Sequence, residues 1–190
     1  MLRHFNRPAA RGFTFVELAV VVSLMGILFA IAAPNMSGYI INQKIRTAAN
    51  SVQNGLQLAR TEAVKRNQQV GFVLTAASPT TCSVTPSATG TNWVVRVEDC
   101  SITTPIQGKS KSEGTANVAI SAADGSSAAF ASSIVFNGLG RLVTAPAGNS
   151  IVISVTSTSG TRPMQIRVNS QGQIRMCEPG LASTNLQGCS

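Results

Sequence analysis

Histidine is all but missing from this chain: the single copy is His4, close to the N-terminus. The Ser/His/Asp and Cys/His sets of nucleophilic catalysis therefore have no imidazole to draw on in the body of the chain. No glycine-rich phosphate loop is present. The four cysteines, 82, 100, 177 and 189, have no C-x-x-C spacing, which argues against zinc. Glu98 and Asp99 are adjacent carboxylates, and neighbours on a strand point to opposite faces, so they suit a solvated turn better than a catalytic dyad. The expectation is a protein that is not an enzyme and holds no cofactor or metal. Aromatic residues are also few, with one Trp, one Tyr and seven Phe, several of them before residue 30. That leaves little for stacking nucleic-acid bases. Charged residues make up only 12% of the chain, and no internal repeat is evident.

What is present is one long apolar run. From Phe13 to Ala33 the only ionisable side chain is Glu17. As a helix, these positions rise about 31 Å, close to the hydrocarbon thickness of a bilayer. Arg3, Arg7 and Arg11 precede the run with no acid among them, which places that end on the cytoplasmic side. A carboxylate inside a span costs about 2.5–3.5 kcal/mol on insertion scales, so Glu17 is a functional candidate. A secretory signal peptide would use Ala30-Ile-Ala-Ala33 as its cleavage site, but Glu17 interrupts the start of the run. A plain single-span anchor fits the length and gives Glu17 no task.

Gly12-Phe-Thr-Phe-Val-Glu17, with the apolar helix and Pro34 that follow, resembles the N-terminus of type IV pilins and pseudopilins. Leu58-Ala-Arg-Thr-Glu-Ala-Val-Lys-Arg-Asn67, Trp93-Val-Val and Ser133-Ile-Val-Phe-Asn-Gly-Leu-Gly-Arg141 are similar to segments of the FimT/FimU and GspH-like minor pilins. The resemblance implies that a prepilin peptidase cuts after Gly12 and N-methylates Phe13. It further implies that Glu17 pairs with the N-terminal amine of a neighbouring subunit during assembly. A buried carboxylate is tolerable when paired in this way. Pro34 lacks an N–H and is expected to kink the helix. The implied fold class is α+β: a long N-terminal helix, half membrane-spanning and half packed on the head, and an antiparallel β-sheet or sandwich head. The expected division is a cleaved leader over 1–12, a membrane and filament-core helix over 13–34, an amphipathic helix over 35–67 and a β-rich head over 68–190.

Periodicity along the chain supplies the rest. Ile45, Ala49, Val52, Leu56, Ala59 and Ala63 alternate at spacings of four and three, one apolar stripe suited to packing on a sheet. Asn67 reads as the helix stop. Strands are expected at 69–75, 92–98, 133–136, 150–156, 164–169 and 173–176, with a further one at 116–120. Segments 76–91, 101–115 and 121–132, rich in Ser, Thr, Gly and Ala, read as surface loops. In an oxidising compartment the cysteines should form two disulfides. Three pairings are open, and joining sequence neighbours, Cys82–Cys100 and Cys177–Cys189, is favoured. A loop of that size is worth roughly 3 kcal/mol in the chain-entropy model.

The formal charge is +8; without the leader, twelve cations face seven acids. Arg162, Arg167 and Arg175, with Lys109, Lys111 and Arg141, are the candidate DNA contacts. Some FimT-like minor pilins bind DNA through a Gly-Arg-x-Arg stretch. The matching place here reads Gly172-Gln-Ile-Arg175-Met-Cys177-Glu-Pro179, with Gln173 where the first Arg would stand. The expected function is that of a minor pilin that enters type IV pili and helps prime assembly, supporting twitching, adhesion or DNA uptake. A DNA receptor in transformation and a minor pseudopilin of type II secretion are the alternatives. The expected partners are other minor and major pilins, the peptidase, the inner membrane before assembly, and in the receptor reading DNA. The resemblance places the chain in the inner membrane with its head in the periplasm, and in the extracellular pilus after assembly.

Overall fold

The computed structural model describes residues 12–113 and 117–189, the side chains of 31–35 excepted. The leader arginines and His4 therefore lie outside the described residues, as does the side chain of Pro34, the site of the expected kink, whose backbone is helical. One helix, α1 (Phe15–Arg66), is followed by eight strands: β1 (Val70–Thr75), β2 (Asn92–Val97), β3 (Gln107–Lys109), β4 (Ala119–Asp124), β5 (Ile134–Phe136), β6 (Ser150–Thr156), β7 (Met164–Asn169) and β8 (Ile174–Cys177). The fold is α+β, with every strand pairing antiparallel. The chain divides into two compact units, 1–37 and 38–190.

In the second unit, α1 stops at a sequence-encoded cap. Asn67 takes the left-handed conformation, φ 50°, which Asn tolerates better than most residues. Its N–H donates to the Val64 carbonyl (3.3 Å), and the Gln68 N–H donates to that of Ala63 (3.2 Å). This is the Schellman pattern, and it satisfies carbonyls that the helix end would otherwise strand.

The strands form two four-stranded sheets, ordered β3-β2-β1-β5 and β4-β6-β7-β8. Register decides which residues meet α1. Phe72 lies opposite Val95 and Ile134, and Leu74 opposite Trp93. With Val70 and Phe136 they form one face, buried together with the helical stripe of Ile45, Val52, Leu56, Ala59 and Ala63. The second sheet adds Ile120, Ile151, Ile153, Val155, Ile166 and Val168 to the same core. The opposite face of the first sheet is covered separately: Val73 and Val94 pack with Val84 from the long β1–β2 connection.

Small residues on α1 permit this approach. A Cβ built on Gly55 would stand 2.8 Å from the Phe72 ring and 3.1 Å from that of Trp93. Those rings pack on each other with centroids 5.5 Å apart. The Trp93 indole N–H donates to Ser51 Oγ (3.1 Å), so the buried ring keeps its polar atom satisfied.

Three sequence expectations need correction. β3 lies inside 101–115, expected to be a loop; its three residues surround Gly108 and carry no apolar alternation. β4 extends to Asp124, into the expected loop 121–132. Its Ala and Ser residues have little intrinsic strand preference, but full pairing with β6 and burial of Ile120 and Ala122 hold them. Glu98 is not simply solvated. It stands beside Arg96 (3.6 Å), whose guanidinium also donates to the Cys82 carbonyl (2.7 Å) and Ser133 Oγ (3.2 Å). Only Asp99 is an exposed turn carboxylate, accepting the Ser101 N–H (3.0 Å).

Candidate functional site

The first candidate is the start of α1. Gly12, Phe13 and Thr14 precede the helix and are exposed. A Cβ on Gly12 would meet nothing within 4 Å. The Thr14 hydroxyl accepts the Glu17 N–H (3.3 Å), and the Thr14 carbonyl accepts that of Leu18 (3.2 Å). Thr14 thus acts as the N-cap, with Glu17 at the third helical position, the spacing of a capping box. Glu17 also sits where the helix dipole favours an anion. Among the described residues no cation meets its carboxylate. From Phe15 to Ala30 every residue is exposed, with Phe15 at 83% and Phe29 at 71%. A helix that is apolar all round requires an apolar environment. Among the described residues no helix is long and apolar enough to cross a membrane; the expected span, 13–34, includes side chains outside that set.

The second candidate is the set of cations on the head. Arg167 on β7 and Arg175 on β8 are directly paired in register, on the face of the second sheet turned away from the core. Arg175 donates to the Leu186 and Gly188 carbonyls (3.1 and 3.2 Å), which ties β8 to the C-terminal loop. Arg162 is held by Glu178 in a two-pronged pair, Nε to Oε1 at 2.9 Å and Nη2 to Oε2 at 2.8 Å. This guanidinium holds the Glu178 carboxyl below its ordinary range. Arg141 lies in the turn after β5, packed on the β7–β8 turn through Leu142 N–H to the Ser170 carbonyl (3.2 Å). Lys109 and Lys111 belong to the other sheet, Lys109 opposite Trp93 on β3 and the Lys111 N–H on Asn92 Oδ1 (2.7 Å). The structure therefore brings Arg167 and Arg175 together, engages Arg162 with an acid, and leaves the lysines in a separate group.

Disulfides join Cys82 to Cys100 and Cys177 to Cys189. The second closes the C-terminal loop, within which the Glu178 N–H donates to the Gln187 carbonyl (2.8 Å). Two neighbours of the Arg162–Glu178 pair went unnoticed in the sequence. Asn42 on α1 accepts the Thr161 and Arg162 N–H groups (3.1 and 3.3 Å), and Arg46, one helical turn on, faces Glu178. Their four-residue spacing off the apolar stripe was the available signal.

Comparison with known proteins agrees with this architecture. The chain belongs to the pilin and pseudopilin family described as Type II transport protein GspH, which matches residues 48–172. A prokaryotic N-terminal methylation motif matches residues 7–33 and so includes Gly12, Phe13 and Glu17. Fimbrial protein EcpC of Eikenella corrodens is 31% identical over 121 residues, 58% of this chain and 78% of that protein. In fold the chain is similar to the type IV minor pilin FimU of Pseudomonas aeruginosa, known in two crystal forms. The TM-scores are 0.51 and 0.52 at 15% and 16% identity, covering 74% and 75% of this chain and 98% and 95% of the FimU chains.

Proposed function

We propose that this chain is a minor pilin that enters type IV pili through α1 and helps prime their assembly. The observation that carries the reading is the exposed, uniformly apolar stretch Phe15–Ala30 with one carboxylate, Glu17, in its first turn. In this reading the peptidase removes residues 1–12 and methylates Phe13. Residues 13–34 span the inner membrane once, with the head in the periplasm, until the subunit is drawn into a filament. Glu17 then meets the N-terminal amine of a neighbour, which neutralises both charges where no water can. The name of EcpC as a fimbrial protein supports the pilus over a secretion pseudopilus, the reading that the GspH description would favour.

The test is the content of sheared surface filaments from cells expressing the full chain. The processed chain should be recovered with the pili, and Glu17→Ala should be processed but depleted there. Recovery only in the membrane fraction, with wild-type filaments present, would defeat the proposal.

A DNA-receptor role rests on the adjacency of Arg167 and Arg175. It is the weaker reading, because Glu178 engages Arg162 and Gln173 stands at the first basic place of the motif. Binding of duplex DNA by residues 38–190 that falls steeply with salt, and falls further in Arg167→Ala, would raise it.

A further inference from the structure

A groove in the head has no part in the roles described so far. It is lined by Gln43 and Arg46 of α1, by Glu178 and its partner Arg162, and by Met164 and Met176. Its volume is about 170 Å³. Pockets for cofactors and drug-sized ligands run to roughly 300–1,000 Å³. This one has room for a single amino-acid side chain.

Its charge is unbalanced. The only carboxylate is Glu178, and both of its oxygens are taken by Arg162. Arg46 is exposed and makes no hydrogen bond or close ion pair among the described residues. One guanidinium therefore faces the groove with its donors unspent. The two methionines are half-buried, and their flexible, polarisable side chains adapt to an apolar stem. The Cys177–Cys189 link and the Glu178–Gln187 backbone bond hold the wall in place.

The acids of the chain itself indicate whose side chain this is. Glu62 is spent on Arg66 (2.6 Å) and Lys65 (3.5 Å), Glu98 lies against Arg96, and Glu178 is in the groove. Asp99 and Asp124 are tied to their own turns through one oxygen each. Apart from Glu17, only Glu113 has a carboxylate with neither a hydrogen bond nor an ion pair among the described residues. A second copy of this chain brings more cations than acids, fifteen against seven, whereas an acid-rich neighbour complements the groove.

We propose that the groove receives an acidic side chain from a different pilin-type subunit, its carboxylate on Arg46 and its stem on Met164 and Met176. The proposal rests on the minor-pilin reading and adds the chemistry of the partner.

The test places p-benzoylphenylalanine at Gln43 of the full-length chain in piliated cells, with crosslinked peptides identified by mass spectrometry. The expected crosslink lies within one or two residues of an Asp or Glu in another pilin-type subunit. Arg46→Glu should cut its yield about tenfold or more, as like charges face each other, and replacing the mapped acid with Arg should restore it. Four outcomes would overturn the groove: a crosslink to a second copy, to DNA or to a segment without an acid; or none at all in chain recovered from sheared pili. Parallel samples from cells expressing the unsubstituted chain report its incorporation. Its absence from pili strikes the minor-pilin reading, and the groove with it, whereas its presence without the crosslink strikes the groove alone.

Discussion

The two halves of α1 use similar residues to opposite ends. In the half after residue 38, Ile45, Val52 and Leu56 are completely buried, and the apolar positions make a single stripe against two sheets. In the half before it, Leu24 is 57% exposed and Phe29 71%, and no stripe can be drawn because every direction is apolar. One helix surface finds its core within the chain. In the proposed assembly the other is covered by lipid or by other subunits. Hydrophobicity alone does not distinguish these destinies; the distribution of polar residues around the helix does.

The largest effect that would break this contrast is at Gly12. Gly12→Val should abolish leader removal, visible as a larger species on a gel, with no change in head melting, because a side chain there touches nothing. A processed Gly12→Val chain would end the cleavage assignment. Next, if Glu17 pairs as proposed, Glu17→Ala should be processed normally but fall by about 100-fold or more in sheared pili, since losing one partner of a buried ion pair costs about 3–5 kcal/mol. Normal incorporation would show that Glu17 only caps its own helix.

The contrast itself is sharpened by a pair of leucines. Leu56→Ala should destabilise the head by about 2–5 kcal/mol, the range for emptying a packed core site. Leu24→Ala should leave the thermal unfolding of the detergent-held chain within about 0.5 kcal/mol, as surface changes do. Equal losses at both sites would mean that the chain covers the first half after all. A smaller effect is expected of Gly55→Ala. Overpacking against Phe72 and Trp93 costs roughly 1–3 kcal/mol, and the gain in helix propensity returns about 1 kcal/mol. A net loss near 1 kcal/mol in urea melts would fit; a clear stabilisation would show that the rings move aside freely.

The smallest prediction concerns pH. Glu178 is held below its ordinary value of about 4.5, chiefly by the hydrogen bonds from Arg162. The folded state therefore binds this proton less readily than the unfolded chain, and stability from the pair is present above that ordinary value. It is lost as pH falls through the lowered one. Between pH 6 and 4.5 the melting difference between wild type and Glu178→Gln should hold steady, then shrink on further acidification. A difference that grows in acid would mean that the pair does not stabilise the loop.

The helix stripe and the helix stop at Asn67 were legible because both are local: one is a period of spacing, the other a single residue that tolerates a positive φ. Most strands were legible for the same reason. β3 and the end of β4 were not, since Gly, Ala and Ser carry no periodic signal and become strands only by pairing with β2 and β6. The Arg96–Glu98 contact follows from alternation along the expected strand, whereas the Cys82 carbonyl and Ser133 that hold Arg96 come from distant segments and leave no local signal.

By itself the sequence determined where the apolar surface lies along α1 and which carboxylate stands at its start, because these are properties of neighbouring residues on one helix. Only the tertiary structure decided which cations of the head are spent and which are open. Arg162 meets Glu178 across 16 residues, and Asn42 meets Thr161 across 119. Sheet register and the closing of the C-terminal loop bring such groups within hydrogen-bond reach, and no local pattern encodes those distances.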